Sequence, residues 1–192
     1  MTGSAYRNDG IGLAYTMNEW HGKKQIKQIP LWGILVSLAL ILSFIESLIP
    51  FYFGIPGMKL GLCNAIVVML LYLSSAREAL LVNLCRIVLA GFLFGNGFSI
   101  LYSMGGALLS FLCMWIVYRT GLFTITTVSI VGGLTHNIGQ LCVASAVLEN
   151  INIFWYAPAL MLAGAVTGAV IGVLVTELIP RLEFLFLNGH TE

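Results

Sequence analysis

The chain is expected to fold as an all-α, polytopic membrane protein, a bundle of six transmembrane helices. Three observations carry that expectation. Of its 192 residues, 59% are hydrophobic and only 9% are charged, against about 25% charged in ordinary soluble domains. The mean hydropathy is +0.96. Apolar runs of near-spanning length recur along the chain, and about 20 residues are what a helix needs to cross a hydrocarbon core of roughly 30 Å.

The spans follow in order. The first covers residues 31–49 and is set off by Pro30 and Pro50, which cannot supply a helical N–H. The second, 60–73, is short for a crossing and could be tilted, broken or only partly crossing. The third runs over 78–94, the fourth over 99–118, the fifth over 124–148 and the sixth over 154–179, ended by Pro180. Residues 1–29 are polar, lack the short apolar core of a cleavable signal peptide, and read as a cytoplasmic lead-in. Residues 30–180 form the membrane domain and 181–192 a short cytoplasmic tail.

Charge fixes the expected orientation. With both termini in the cytoplasm, Arg7, Lys23, Lys24, Lys27, Arg77, Arg119 and Arg181 all lie inside, Lys59 lies outside, and Arg86 lies within the third span. That asymmetry follows the positive-inside rule and requires an even number of spans. No basic patch with interleaved aromatics exists, so nucleic acid is not an expected partner. Cys63, Cys85, Cys113 and Cys142 have no metal-ligand spacing and read as small apolar packing residues. No metal or cofactor is expected.

Polar residues inside apolar spans are the informative feature, because they are costly in hydrocarbon unless they face protein or a cavity. Thr135-His136-Asn137-Ile138-Gly139-Gln140 interrupts the fifth span, with His136 and Gln140 on one helical face and Asn137 at its shoulder. Arg86 sits near the middle of the third span, where insertion costs roughly 2.5–3.5 kcal/mol, with Asn83 three residues earlier on the same face. Glu46 is the carboxylate placed to pair with it. Asn64, early in the second span, falls in the same outer half as these groups. Glu46, Lys59, Asn64, Asn83, Arg86, His136, Asn137 and Gln140 are therefore candidates to line one outward-facing substrate site. A purely structural hydrogen-bond network explains the same residues, and a proton relay through Glu46 and His136 is a further option. Nothing in the pattern points to a catalytic residue.

Three other features stand out. The loop from Pro50 to Lys59 holds two prolines, two glycines and three aromatics, which suits an interfacial anchor or a lid. Tyr102 and Trp155 are outer-end aromatics for belt anchoring or ring stacking. Gly164, Gly168 and Gly172 repeat a small-xxx-small spacing for close helix approach, with Gly105-Gly106 and Gly132-Gly133 in similar roles.

Ile55-Pro56-Gly57-Met58-Lys59-Leu60-Gly61-Leu62-Cys63-Asn64, Leu84-Cys85-Arg86-Ile87-Val88-Leu89-Ala90-Gly91 and the 135–140 motif together resemble a bacterial membrane family. That family is catalogued both as the Gx transporter family and as heptaprenyl diphosphate synthase component I. It is similar to the substrate-binding (S) components of energy-coupling factor (ECF) vitamin importers. The resemblance covers roughly residues 31–180. It implies a six-helix bundle in the bacterial plasma membrane that captures a small nutrient from outside, among membrane lipids. It also implies partners: a transmembrane coupling protein (the T component) and two ATPases. Gly33 and Ser37, a small-xxx-small pair in the first span, are the candidate docking surface for that coupling protein.

The two family labels imply different chemistry. A prenyl diphosphate synthase needs clustered aspartates to hold magnesium on the diphosphate, and this chain has one aspartate, Asp9. It has no GxxxxGK[ST] loop either, so ATP hydrolysis would fall to a partner. The expectation is a non-enzymatic substrate-binding subunit. The alternative is a non-catalytic membrane subunit that binds a prenyl lipid or quinone precursor in isoprenoid metabolism.

Overall fold

The computed structural model describes residues 29–48 and 61–188, with side chains over 33–48 and 61–182. The described residues form six α-helices and no strand: α1 (Ile29–Leu48), α2 (Asn64–Leu73), α3 (Ala76–Phe94), α4 (Gly97–Thr120), α5 (Ile125–Val147) and α6 (Ala157–Asn188), with a 3₁₀ segment (Ile151–Tyr156) leading into α6. Among the described residues, three segments are long and apolar enough to cross a membrane: Gly97–Thr120, Ile125–Val147 and Ile151–Leu182. Gly33–Leu48 and Asn64–Leu73 are shorter apolar helices. α3 has the length, but Arg77, Glu78 and Arg86 load it with charge.

Local sequence sets the helix ends. Ser75 caps α3, its Oγ accepting the Glu78 N–H at 3.3 Å in a Ser-x-x-Glu arrangement. Asn96 Oδ1 accepts from Ser99 N at 2.8 Å at the start of α4, and Thr124 Oγ1 accepts from Thr127 N at 3.3 Å at the start of α5. Gly121 ends α4 with φ +68°, a left-handed cap conformation that glycine adopts without strain.

The short helix is the centre. All of α2 except Ala65 and Leu73 is buried, and it touches every other helix. α1 packs on α2 and α3, α3 on α4, α4 on α5 and α5 on α6. Among the described residues α1 and α6 make no contact, so the five-helix ring around α2 is open on that side. Ten residues rise only about 15 Å, half the hydrocarbon thickness. The expected second span, 60–73, is thus helical over its C-terminal part only.

Two apolar clusters bracket the bundle. The larger packs Ile66, Val67, Val68, Leu70 and Leu71 of α2 against Leu35 and Ala39 of α1, Ala79 and Val82 of α3, Met114 of α4, Val128 of α5 and Ile171, Val175 and Ile179 of α6. Tyr72 meets Tyr118 edge-on at 4.9 Å between ring centres. The smaller cluster joins Tyr102, Leu141, Ala144, Ile153 and Leu160. Tyr102 is therefore a buried core residue rather than a belt aromatic, whereas Trp155 is 85% exposed.

Glycines set the spacing of α4, α5 and α6. A methyl group on Gly164 would stand 2.6 Å from the Gly133 carbonyl oxygen, one on Gly168 2.7 Å from the Ser129 carbonyl oxygen, and one on Gly172 2.5 Å from Thr126 Cα. Gly139 approaches the Gly105 carbonyl oxygen just as closely, at 2.5 Å. These contacts leave room for backbone only.

The expected helix end at Pro180 is corrected. Proline lies inside α6, which continues to Asn188. A proline removes one N–H and crowds the preceding turn. Here Ile171, Val175 and Ile179 keep one face of the helix seated in the core through that point, and burial outweighs the local penalty.

Candidate functional site

Between the two apolar clusters lies a polar layer. Three helices contribute to it: α1 brings Ser43 and Glu46 beyond Leu35 and Ala39, and α3 brings Asn83 and Arg86 beyond Ala79 and Val82. α5 contributes His136, Asn137 and Gln140 beyond Val128. Cys63 and Asn64, at the start of α2, complete it. All of these side chains are buried; Arg86 and His136 are each 3% exposed and Gln140 and Asn137 are 0% exposed.

Arg86 is held on two sides. Asn83 Oδ1 accepts from its Nε at 3.2 Å and from its Nη2 at 2.9 Å, while Nη1 donates to Ser43 Oγ at 3.1 Å. Ser43 Oγ in turn lies 3.1 Å from Cys63 Sγ, and Cys63 Sγ lies 3.6 Å from the Ala39 carbonyl oxygen and 3.9 Å from Glu46 Oε2. The expected pairing of Arg86 with Glu46 is thus relayed through a hydroxyl and a thiol. Glu46 Oε1 accepts the backbone N–H groups of Gly61 and, at 3.3 Å, Leu62.

Gly61 joins this network to α5. It has φ +83°, and a methyl group there would stand 3.2 Å from His136 Cδ2 and 3.2 Å from Asn64 Nδ2. On the ring's other edge, a methyl group on Gly106 of α4 would stand 3.0 Å from His136 Cε1 and 2.8 Å from Gln140 Cγ. The imidazole is therefore sandwiched between two glycines. Asn137 turns toward α6, its Nδ2 donating to the Leu160 carbonyl oxygen at 2.6 Å.

Several polar atoms in this layer are buried without a hydrogen-bond partner: Asn64 Nδ2, Asn137 Oδ1 and Ser103 Oγ. Each such atom costs roughly 1–3 kcal/mol if it stays unpaired.

Of the residues singled out from sequence, Glu46, Asn64, Asn83, Arg86, His136, Asn137 and Gln140 fall in this layer. Lys59 and the Pro50–Lys59 loop lie outside the described residues. Gly33 and Ser37 lie exposed on α1, with Ser37 Oγ donating to the Gly33 carbonyl oxygen at 2.8 Å. The sequence reading does not place Ser43 or Gly61 at this site, and it reads Cys63 and Gly106 as packing residues only. Ser43 shares a face with Glu46 three residues on, which was the available signal. Cys63 is a polar link at the start of α2 rather than an apolar filler, and Cys85 and Cys142 are exposed instead of packed. Among the described residues no group of three His, Cys, Asp or Glu side chains gathers to hold a metal ion.

No curated protein and no solved structure matches this chain. The family model described as heptaprenyl diphosphate synthase component I matches residues 35–178, from within α1 to within α6, and includes the whole polar layer. The chain belongs to the heptaprenyl diphosphate synthase component I family.

Proposed function

We propose that this protein is the substrate-binding subunit of an ECF-type importer, taking a small nutrient from the outer side of a bacterial plasma membrane. The observation that carries the reading is a polar layer resting on a closed apolar core. Asn64 Nδ2 and Asn137 Oδ1 are buried without a hydrogen-bond partner, beside the buried Arg86 and His136, while Ile66 to Leu71 of α2 fill the space between the surrounding helices below them. Such an arrangement binds a solute and blocks its passage. Release to the far side then requires work from outside the chain, which fits a subunit driven by a coupling protein and two ATPases.

All six helices belong to the membrane domain in this reading, with both termini cytoplasmic and α2 as a half-crossing element. The large apolar core lies toward the cytoplasm and the polar layer toward the exterior. Glu46, Asn64, Asn83, Arg86, His136, Asn137 and Gln140 form the site. The chain performs no chemistry of its own, consistent with its single aspartate. Gly33 and Ser37 are placed where a coupling protein could lie close to α1.

The family description supports a second reading. It names one component of a synthase that makes a prenyl diphosphate, which suits a non-catalytic membrane subunit that binds a prenyl lipid or quinone precursor. The open side of the helix ring between α1 and α6 would admit a chain of that kind.

Affinity isolation of the tagged protein from native membranes separates the two. Recovery of a coupling protein with two ATPases establishes the importer reading. Recovery of a prenyltransferase in their place overturns it in favour of the second.

A further inference from the structure

The start of α2 already holds an anion, and that anion belongs to the protein. Asn64 N, Ala65 N and Ile66 N donate to the carbonyl oxygens of Gly61, Leu62 and Cys63 at 2.9, 3.1 and 3.1 Å. The helical ladder therefore reaches back one turn, and the N–H groups of Gly61 and Leu62 lie ahead of its first donor. Both go to Glu46 Oε1. A helix N-terminus favours negative charge through its free N–H groups and its dipole, and Glu46 takes the place an external anion would take.

A second donor points to a ligand at the same spot. Asn64 Nδ2 is buried without a hydrogen-bond partner and lies beside Gly61. Arg86 adds positive charge through Ser43 and Cys63, and three of its five N–H donors are accounted for by Asn83 and Ser43.

We propose that the N-terminal end of α2 binds the anionic group of a ligand in competition with the Glu46 carboxylate, so that each anion bound is accompanied by one proton taken up by Glu46. The proposal rests on the capture reading and names the ligand class for that site. Two carboxylates cannot share one set of donors while both are charged. A proton from the aqueous phase removes the charge on Glu46 and frees Gly61 N, Leu62 N and Asn64 Nδ2 for the incoming anion. α1 packs only on α2 and α3 among the described residues. Among the described residues, the titratable or charged groups facing Glu46 are Cys63 before α2, Arg86 on α3, and His136 on α5 across Gly61; the first two turns of α2 bring none.

The test uses the purified full chain in detergent, with benzoate and inorganic phosphate as probes against chloride at matched ionic strength. Benzoate binding read by thermal unfolding should weaken as pH rises, approaching about tenfold per pH unit where Glu46 is ionised in the free protein, the slope for one linked proton. Glu46→Gln should bind with no such slope, at the strength the natural chain reaches in acid, and Asn64→Leu should bind weakly in both. Proton uptake on adding benzoate, followed with an indicator in weak buffer, needs no variant and should approach one per anion bound. Binding without pH dependence, no proton uptake, or no binding of either probe overturns the proposal. Should ATPase partners be recovered from membranes all the same, the capture reading stands and only the anion-for-proton exchange falls.

Discussion

Asn83 and Arg86 occupy one turn of α3, and a single oxygen, Asn83 Oδ1, accepts from two nitrogens of the guanidinium at 3.2 and 2.9 Å. A charged residue buried at 3% exposure in an apolar bundle is thus held first by its own helix, before any other element contributes. Asn83→Leu leaves those donors without their acceptor. The expected loss is about 1–3 kcal/mol of stability, measured by denaturant unfolding in detergent, with Leu81→Ala on the exposed side of the same helix as the control. A loss no greater than the control's would show that Arg86 finds its stabilisation elsewhere.

Ser43→Ala cuts the link from Arg86 Nη1 to Cys63 and Glu46. Only one hydroxyl is removed, so stability should fall by about 1 kcal/mol. Ligand affinity should fall more than stability does if the relay positions Arg86 for binding. Isothermal titration with the ligand recovered from native membranes reads the first quantity, and denaturant unfolding the second.

Gly61→Ala meets two obstacles at once. The backbone is in the left-handed region at φ +83°, and the new methyl would press on His136 Cδ2 and Asn64 Nδ2 at 3.2 Å each. Strain of about 1–2 kcal/mol and displacement of the imidazole are expected together. Nitrogen-15 spectra of labelled histidine should shift in the variant, and an unchanged His136 signal would separate the strain from the site.

Gly164→Val drives a side chain into the Gly133 backbone, where even a methyl would stand 2.6 Å from the carbonyl oxygen. α5 and α6 must part, and the cost should reach about 1–3 kcal/mol. Val166→Leu, two positions away on an exposed face, should leave the unfolding midpoint unchanged.

Much of this was legible in the sequence because hydrocarbon makes polar side chains conspicuous. Arg86, His136, Asn137 and Gln140 announce themselves against apolar neighbours, and helical spacing alone puts Asn83 beside Arg86. Ser43 and Cys63 do not announce themselves, because a small side chain that bonds its own helix is ordinary in a membrane span. Their role depends on α1 lying against the start of α2, a tertiary fact. Pro180 misled for the opposite reason: a strong local signal was overridden by the buried face of α6. Tyr102 shows the same effect, its ring taken up by the smaller apolar cluster.

The length of α2 has a consequence for how the protein is made. A ten-residue helix is too short to be inserted as a span in its own right. Only Ser74 and Ser75 separate it from α3, so it must enter the bilayer as the passenger of that longer helix. Its first turn brings Asn64 and the Gly61 and Leu62 N–H groups, which lipid cannot satisfy. α2 therefore settles only once α1 offers Glu46 and α5 offers the face carrying His136. The polar layer is then the last part of the molecule to form, and its completion marks a chain whose six helices have all arrived.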